Sequence, residues 1–426
     1  MRRRSGSGVA IDAFLRLTDP SMRLKLLSEY YAPEPASTAQ LMTELSERLS
    51  EKGSDVEVWT SQPTYQGQEQ QTLPYYQDTP GPDVFRLPSM QLDKDVLAYR
   101  ALNWITYSFQ VFSFLLLWKR QRNERLLALT NPPILPIVTA LLGWIRGYKT
   151  ILVIYDVYPD VAVELGMVSE DALVVRAWRA LNRFAYRQAD RIVVLDRQMK
   201  RKIKSKDGRI DPDKIQIIPN WEDPKSIQPM EKENNSFAVE HGYDQKFVIL
   251  YSGNHGRHHR LKPLVEAADR IDDPQVQFVF IGDGAKKEML RKHVREKGLS
   301  NVDFHPYQPK KRLPETLTCG DVTVVSEDPR MTGLCVSCKI YSSMAAGQAI
   351  LGLSHEQSEI ARIIDKADAG TNVQRPDPDR IAQVLNRFAN DPERAREMGQ
   401  NARAFFLNHF TLEHAVDRYQ ELLTSV

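Results

Sequence analysis

Tyr251-Ser252-Gly253-Asn254-His255-Gly256 ends one apolar run (247–251), and Phe280-Ile281-Gly282-Asp283-Gly284 ends another (276–281). Lys339-Ile340-Tyr341 then leads into Met344-Ala345-Ala346-Gly347. The first two glycine groups stand where a buried strand gives way to a helix-forming stretch. Glycine lets the backbone approach a phosphate, and a helix N-terminus favours its charge. Repeated strand, glycine-turn and helix units predict an α/β fold with a parallel sheet and a ligand at its carboxyl edge. This half of the chain reads as a nucleotide-binding domain.

At 426 residues the chain exceeds one ordinary core, so two domains are expected. Lys and Arg number 57 against 55 acidic residues, a net charge of +2, which argues against a nucleic-acid binder acting through bulk charge. Three cysteines, Cys319, Cys335 and Cys338, form no disulfide framework and fit a reducing cytoplasm. The Cys335-x-x-Cys338 pair lacks the second pair a zinc site needs. No Asp-x-Asp ends a strand, so neither a metal nor a cofactor is expected. No apolar run reaches the ~20 residues needed to span a bilayer. Residues 1–21 start basic, but Asp12, Arg16 and Asp19 break their apolar stretch, so a disordered extension is expected rather than a signal peptide.

From Met22 onward strand, loop and helix alternate. Residues 24–27, 55–60, 84–88, 150–156 and 191–195 read as strands, and 214–219 closes the first half. Leu41, Leu45 and Leu49 mark a helix over 40–52 that ends at Gly53. Residues 223–245, with Pro224, Pro229 and Glu231-Lys232-Glu233-Asn234-Asn235, read as an irregular linker. From Asp391 the chain is helical, interrupted by Phe405, Phe406 and Phe410, with a last helix over 412–423. The most apolar helix spans 100–118 and carries Trp104, Ile105, Tyr107, Phe109, Val111, Phe112 and Phe114. Lys119, Arg120, Arg122 and Arg125 follow it, and Trp144, Arg146, Tyr148 and Lys149 repeat the mixture. Such a segment either fills a core or lays an aromatic and cationic face on a membrane.

Several segments occur in a familiar order. Tyr30-Tyr31-Ala32-Pro33-Glu34-Pro35-Ala36-Ser37-Thr38 has the form of a Tyr-Phe-Pro-Pro-Glu-Pro loop. Thr130-Asn131-Pro132-Pro133, Asp156-Val157-Tyr158-Pro159-Asp160 with Glu164-Leu165-Gly166, and Pro219-Asn220-Trp221 follow. Together with the glycine motifs, and with Asn301-Val302-Asp303-Phe304 between them, they make the chain resemble the family 4 glycosyltransferases of GT-B fold, of the bacterial polysaccharide-assembly type. The resemblance implies two Rossmann-like domains facing across a cleft: an acceptor-side domain over 22–222 and a nucleotide-sugar-binding domain over 246–410. It also implies a C-terminal helix, 411–426, packing back on the first domain. Retention of anomeric configuration without a metal comes with the family.

Glycosyl transfer must stabilise a departing diphosphate, and without a metal backbone N–H groups and cations take that charge. Gly253, Asn254 and Gly256, with Arg260 and Lys262 just beyond, are the first candidates for the donor site; Arg257, His258 and His259 lie among them. Gly282, Asp283 and Gly284 are donor-proximal or else a tight turn. Lys339 is a second phosphate candidate or else a surface lysine, and Tyr341 and Ser342 flank it. Many relatives carry a Glu where this chain has Ser342, and a His where it has Val153. Glu327 and Asp328 are acidic residues without an assigned place. Asp156 becomes the candidate catalytic residue, with helix capping as the alternative. Pro35, Ser37 and Thr38 are expected on the acceptor side. The expected activity is transfer from a nucleotide-sugar donor to a lipid-linked or carbohydrate acceptor at the cytoplasmic face of the membrane, the protein being cytoplasmic or peripheral. A soluble acceptor, or a non-catalytic scaffold, is the alternative.

Overall fold

The computed structural model describes residues 23–63, 72–93, 96–121, 123–256 and 259–426. The expected extension over 1–21, together with Arg122, Arg257 and His258, lies outside them. Two sheets organise the chain. The first contains β1 (Arg23–Leu27), β2 (Asp55–Ser61), β3 (Tyr76–Gln77), β4 (Asp83–Leu87), β5 (Glu124–Leu129), β6 (Lys149–Ile154), β7 (Arg191–Val194) and β8 (Ile215–Ile217). Their order is β3-β4-β2-β1-β5-β6-β7-β8, and only β3 runs antiparallel to its neighbour. The second contains β9 (Phe247–Ser252), β10 (Val276–Ile281), β11 (Val302–His305), β12 (Val322–Ser326), β13 (Ala349–Leu353) and β14 (Gly370–Asn372). It is parallel throughout, in the order β11-β10-β9-β12-β13-β14. Strands covered by helices on both faces need apolar residues on both, and β6 (Lys-Thr-Ile-Leu-Val-Ile) and β12 (Val-Thr-Val-Val-Ser) supply them.

In each sheet the chain order reverses beside the first strand, between β1 and β5 and between β9 and β12. A crevice opens past the carboxyl ends of the strands at such a switch point. The two crevices face each other. Val157 N–H donates to Leu334 O (2.8 Å), Arg330 Nη1 to Glu164 O (3.1 Å) and Gln198 Nε2 to Gln357 O (3.0 Å), all across the interface. The chain crosses between the domains twice at one point, where Glu222 N–H donates to Phe410 O and Leu412 N–H donates to Glu222 O, both at 3.1 Å. The last helix, Leu412–Thr424, then buries Val416, Tyr419 and Leu423 in the core of the first domain.

Three readings are corrected here. The stretch taken as an irregular linker contains a helix, Ser236–His241, whose Phe237 is fully buried with Val248, Leu250 and Ile281 of the second domain. Its polar composition belongs to the exposed side, while Asn235 caps it by accepting from Ala238 N–H (3.0 Å). Phe405 and Phe406 do not interrupt the helix Pro392–His409; only Phe410 ends it. The glycine turns also do not open directly onto helices, since the next ones begin at Lys262 and Lys287.

Candidate active site

The two glycine turns are stacked on each other. Gly253 N–H donates to Ile281 O (2.8 Å), His255 N–H to Asp283 O (2.7 Å) and Gly282 N–H to His305 O (3.1 Å), continuing the parallel ladder past β9, β10 and β11. These three N–H groups are spent on the fold. Those of Asn254 and Gly256 have no partner among the described residues. A Cβ on Gly282 would stand 2.1 Å from Gly253 O, and one on Gly284 would stand 2.3 Å from Asn254 Oδ1. Both glycines hold positive φ, +129° and +146°. The buried Lys287 anchors this stack by donating to Gly282 O (2.7 Å), and Lys286 donates to His259 O (2.6 Å). Sequence reading passed over both lysines. Their signal is the Lys-Lys pair two residues beyond Gly284.

Lys339 lies against Gly253, where an added Cβ would meet its Cε at 2.7 Å. Its Nζ is 3.4 Å from His259 Nε2 and 5.4 Å from the centre of the Tyr251 ring. His259 Nδ1 is 2.7 Å from Ser326 O. A carbonyl only accepts, so Nδ1 carries the hydrogen and a neutral ring offers Nε2 to the ammonium. No carboxylate pairs with Lys339 among the described residues, and burial pulls its pKa down to about 8. His255, stacked on Tyr251 at 5.4 Å, is held neutral: burial first, then Lys287 and Lys339, bring its pKa to about 4.

The other expected donor residues divide. Arg260 donates its backbone N–H to Ser326 Oγ (2.9 Å), and its guanidinium stands 3.6 Å from Asp328. Arg330 holds Asp328 with two hydrogen bonds, 3.2 and 2.9 Å. Burial opposes the charge on Asp328, but these cations prevail and keep its pKa below the ordinary value. Asp283 is exposed and accepts from Gly284 N–H (2.7 Å). Lys262 is exposed and pairs with Glu266 on its own helix (3.5 Å). Ser342 Oγ turns back to Lys339 O (3.2 Å). Tyr341, expected near the donor, is a core residue. It is fully buried against Phe410, with ring centres 5.2 Å apart, because its side of the short helix Lys339–Ala345 faces inward.

Across the crevice, Asp156 follows β6. Its N–H and that of Tyr155 both donate to Thr130 Oγ1, at 3.2 and 3.0 Å, so two separate motifs are tied together. The nearest helix, Asp160–Glu164, has Pro159 at its N-cap, which removes the capping role for Asp156. Burial raises the Asp156 pKa to about 6. Asp196, which caps the helix Arg197–Lys206 through Met199 N–H (2.6 Å), is raised to about 6 by burial. Glu327, at the end of β12, reaches about 8 through burial, then Asp196 and Asp328. Burial first, then the charges of Asp156 and Glu327, push the pKa of the half-buried Cys335 thiol well up. On the acceptor side, Pro35 and Ser37 are exposed beside the start of the helix Ser37–Glu51, with Thr38 half-buried.

The half-buried Lys339 and the unpaired N–H groups of Asn254 and Gly256 thus belong to the second domain, and Asp156 and Asp196 to the first. Comparison with known proteins identifies the family. The family described as glycosyl transferases group 1 matches residues 232–405, and the glycosyl transferase 4-like domain matches 38–221. The chain belongs to the family 4 glycosyltransferases of GT-B fold. A Pseudomonas aeruginosa protein named as a probable glycosyltransferase, WbjE, is 31% identical over 316 residues, 74% of this chain and 78% of that one. WcaI of Escherichia coli K12, named for colanic acid biosynthesis, is 24% identical over 355 residues, 81% and 86% of the two chains. The sucrose-phosphate synthase of Thermosynechococcus elongatus superposes with a TM-score of 0.73 at 16% identity, over 95% of this glycosyltransferase and 100% of that chain.

The apolar helix of this glycosyltransferase, Leu97–Leu117, has two apolar faces. Tyr107, Val111 and Leu115 are fully buried, with Trp104 close behind. Leu102 (42% exposed), Ile105 (51%), Phe109 (64%) and Leu117 (84%) form an outward stripe. Trp144 (72%) is exposed on the neighbouring helix Leu135–Arg146, and Leu173 (79%) on Leu173–Gln188, which packs on Leu135–Arg146. The core reading thus holds for one side of this helix, and the other side is apolar and exposed.

Proposed function

We propose that this glycosyltransferase holds a nucleotide-sugar by its diphosphate at the Lys339 cradle and transfers the sugar, with retention, to a lipid-linked or other membrane-bound acceptor in polysaccharide or glycolipid assembly. The outward stripe on Leu97–Leu117 carries the membrane part of this reading, since soluble surfaces rarely leave so large an apolar patch unused. The assembly role is the one that WcaI is named for. Among the described residues no helix is long and apolar enough to cross a membrane, so the attachment proposed is peripheral, at the cytoplasmic face. Anionic lipid adds about 1 kcal/mol per basic residue at the surface.

The protein is expected to pellet with anionic liposomes, less so at high salt, and to lose that binding when Leu102, Ile105 and Phe109 are all changed to Glu. Changing Trp104 and Phe112 to Ser instead would strike the packed side of the helix and lower the melting temperature. Wild-type protein left in the supernatant at low salt would overturn the membrane reading in favour of a soluble acceptor.

Asp156 is proposed to orient the donor sugar or to assist the acceptor hydroxyl. Asp156→Asn is expected to keep nucleotide affinity and lower turnover about tenfold or more, about 1.4 kcal/mol of barrier. Wild-type turnover should rise with pH through about 6, as the carboxylate forms. Normal turnover in the variant would remove Asp156 from the chemistry.

A further inference from the structure

His259 is a buried residue in the loop between β9 and the helix Lys262–Ala268, and both its backbone and its ring are held. Its N–H donates to Gly256 O (3.2 Å), and its carbonyl accepts from Lys286 Nζ (2.6 Å). Its Nδ1 is 2.7 Å from Ser326 O, at the end of β12, and its Nε2 is 3.4 Å from Lys339 Nζ. Ser326 is itself fully buried, and its hydroxyl accepts the N–H of Arg260 (2.9 Å), so two successive residues of the loop are tied to one residue of β12. The ring hydrogen that Ser326 O takes from Nδ1 leaves Nε2 as the nitrogen that accepts from the ammonium. The Tyr251 ring lies beside both groups, 5.4 Å from Lys339 Nζ and edge-on to His259 at 6.1 Å. Gly253 lies under the lysine stem. These supports hold the ammonium in place without neutralising it.

We infer that His259 is a positioning residue of the donor site: anchored on Ser326 O, its ring aims Lys339 at the leaving diphosphate and stabilises the ammonium there by accepting its hydrogen bond. The inference rests on the Lys339 cradle proposed above and adds the group that orients and charges its lysine. The neutral ring is the working form, because a second proton would turn Nε2 into a donor facing a cation. The titratable groups around the pair are Tyr251 and His255 from β9 and its turn, Lys286 at the start of the helix Lys287–Lys297, and Cys338 at the N-cap of the lysine's own helix. Lys286 is kept in Lys339→Arg, so a flat pH profile in that variant assigns the titration to Lys339.

Two substitutions separate the two bonds of the ring. The amide of Asn stands where Cγ and Nδ1 stand, so His259→Asn keeps the bond to Ser326 O and removes the acceptor from Lys339. The longer Gln reaches the Nε2 position, so His259→Gln keeps an acceptor for Lys339 and gives up Ser326. Calorimetric titration with UDP, GDP and ADP is the test. His259→Asn is expected to weaken nucleoside diphosphate binding about threefold to tenfold at about pH 7. It should also lower the pH at which affinity falls by about 0.5–1 unit, because an acceptor that favoured the charged lysine is gone. His259→Gln should keep the wild-type midpoint. In Lys339→Ala the His259→Asn change should weaken binding no further, since the donor of that bond is absent. The midpoint does not depend on how much of the protein is folded, so it decides even where a variant melts early. Losses that add to those of Lys339→Ala at an unchanged midpoint would mark a merely structural residue and overturn the inference. Wild-type affinity and midpoint in His259→Asn would also overturn it and leave the cradle standing, provided Lys339→Ala is weakened. Wild-type affinity in Lys339→Ala, or wild-type protein that binds none of the three nucleotides, would remove the cradle and this inference with it.

Discussion

Lys339→Ala is expected to weaken nucleoside diphosphate binding by about 10- to 150-fold, the effect of losing a charged hydrogen bond of about 1.5–3 kcal/mol. No carboxylate among the described residues neutralises this lysine, its Nζ is 3.4 Å from His259 Nε2, and its stem lies on Gly253. Burial has already lowered its pKa from 10.5 to about 8, so the charged state is held at a cost that an arriving diphosphate removes. The sign follows: the cation is present below that pKa and is lost as pH rises above about 8. Calorimetric titration with UDP, GDP and ADP should therefore show affinity falling between about pH 7 and 9 in the wild type. Arginine keeps its charge throughout, so Lys339→Arg should bind more weakly overall but lose the pH dependence. Unchanged affinity in Lys339→Ala would move the phosphates elsewhere.

Gly282→Ala is expected to damage fold and donor site together. The new Cβ would stand 2.1 Å from Gly253 O, a backbone atom that cannot rotate away, at a φ of +129°. Left-handed backbone costs an L-residue roughly 1–2 kcal/mol, and overpacking a further 1–3 kcal/mol. In a domain of this size that corresponds to a melting-temperature loss of roughly 4–20 °C. Separating the turns also shifts the N–H groups of Asn254 and Gly256, so nucleotide binding should fall with stability. Gly208→Ala, with nothing within 4 Å of the added Cβ, is the matched control and should melt as the wild type does. Differential scanning calorimetry decides it, and equal melting of the two variants would mean that the stacked turns are not a rigid cradle.

The same glycines show how far the chain could be read before its structure. Gly253 and Gly282 were legible as turns after buried strands, because a strand covered on both faces writes an apolar run into the sequence. That these turns spend their N–H groups on each other was not legible, since the pairing joins residues about 30 apart. Tyr341 was misplaced because the phase of a seven-residue helix gives no clear inner face. The aromatic helix failed in the opposite way. Apolar residues surround it, so only the neighbouring helices reveal that Tyr107 is core and Phe109 is surface. Asp196 and Glu327 draw their character from burial and from charges of the other domain, which no local pattern encodes.

The proposed reaction is tested most directly by following the sugar. The protein would be incubated with radiolabelled UDP-, GDP- and ADP-sugars and with liposomes made from bacterial membrane lipid. After extraction, wild-type protein is predicted to place label from one donor in the organic phase. Label carried only by water-soluble products, with nucleotide binding intact, would contradict a membrane-bound acceptor.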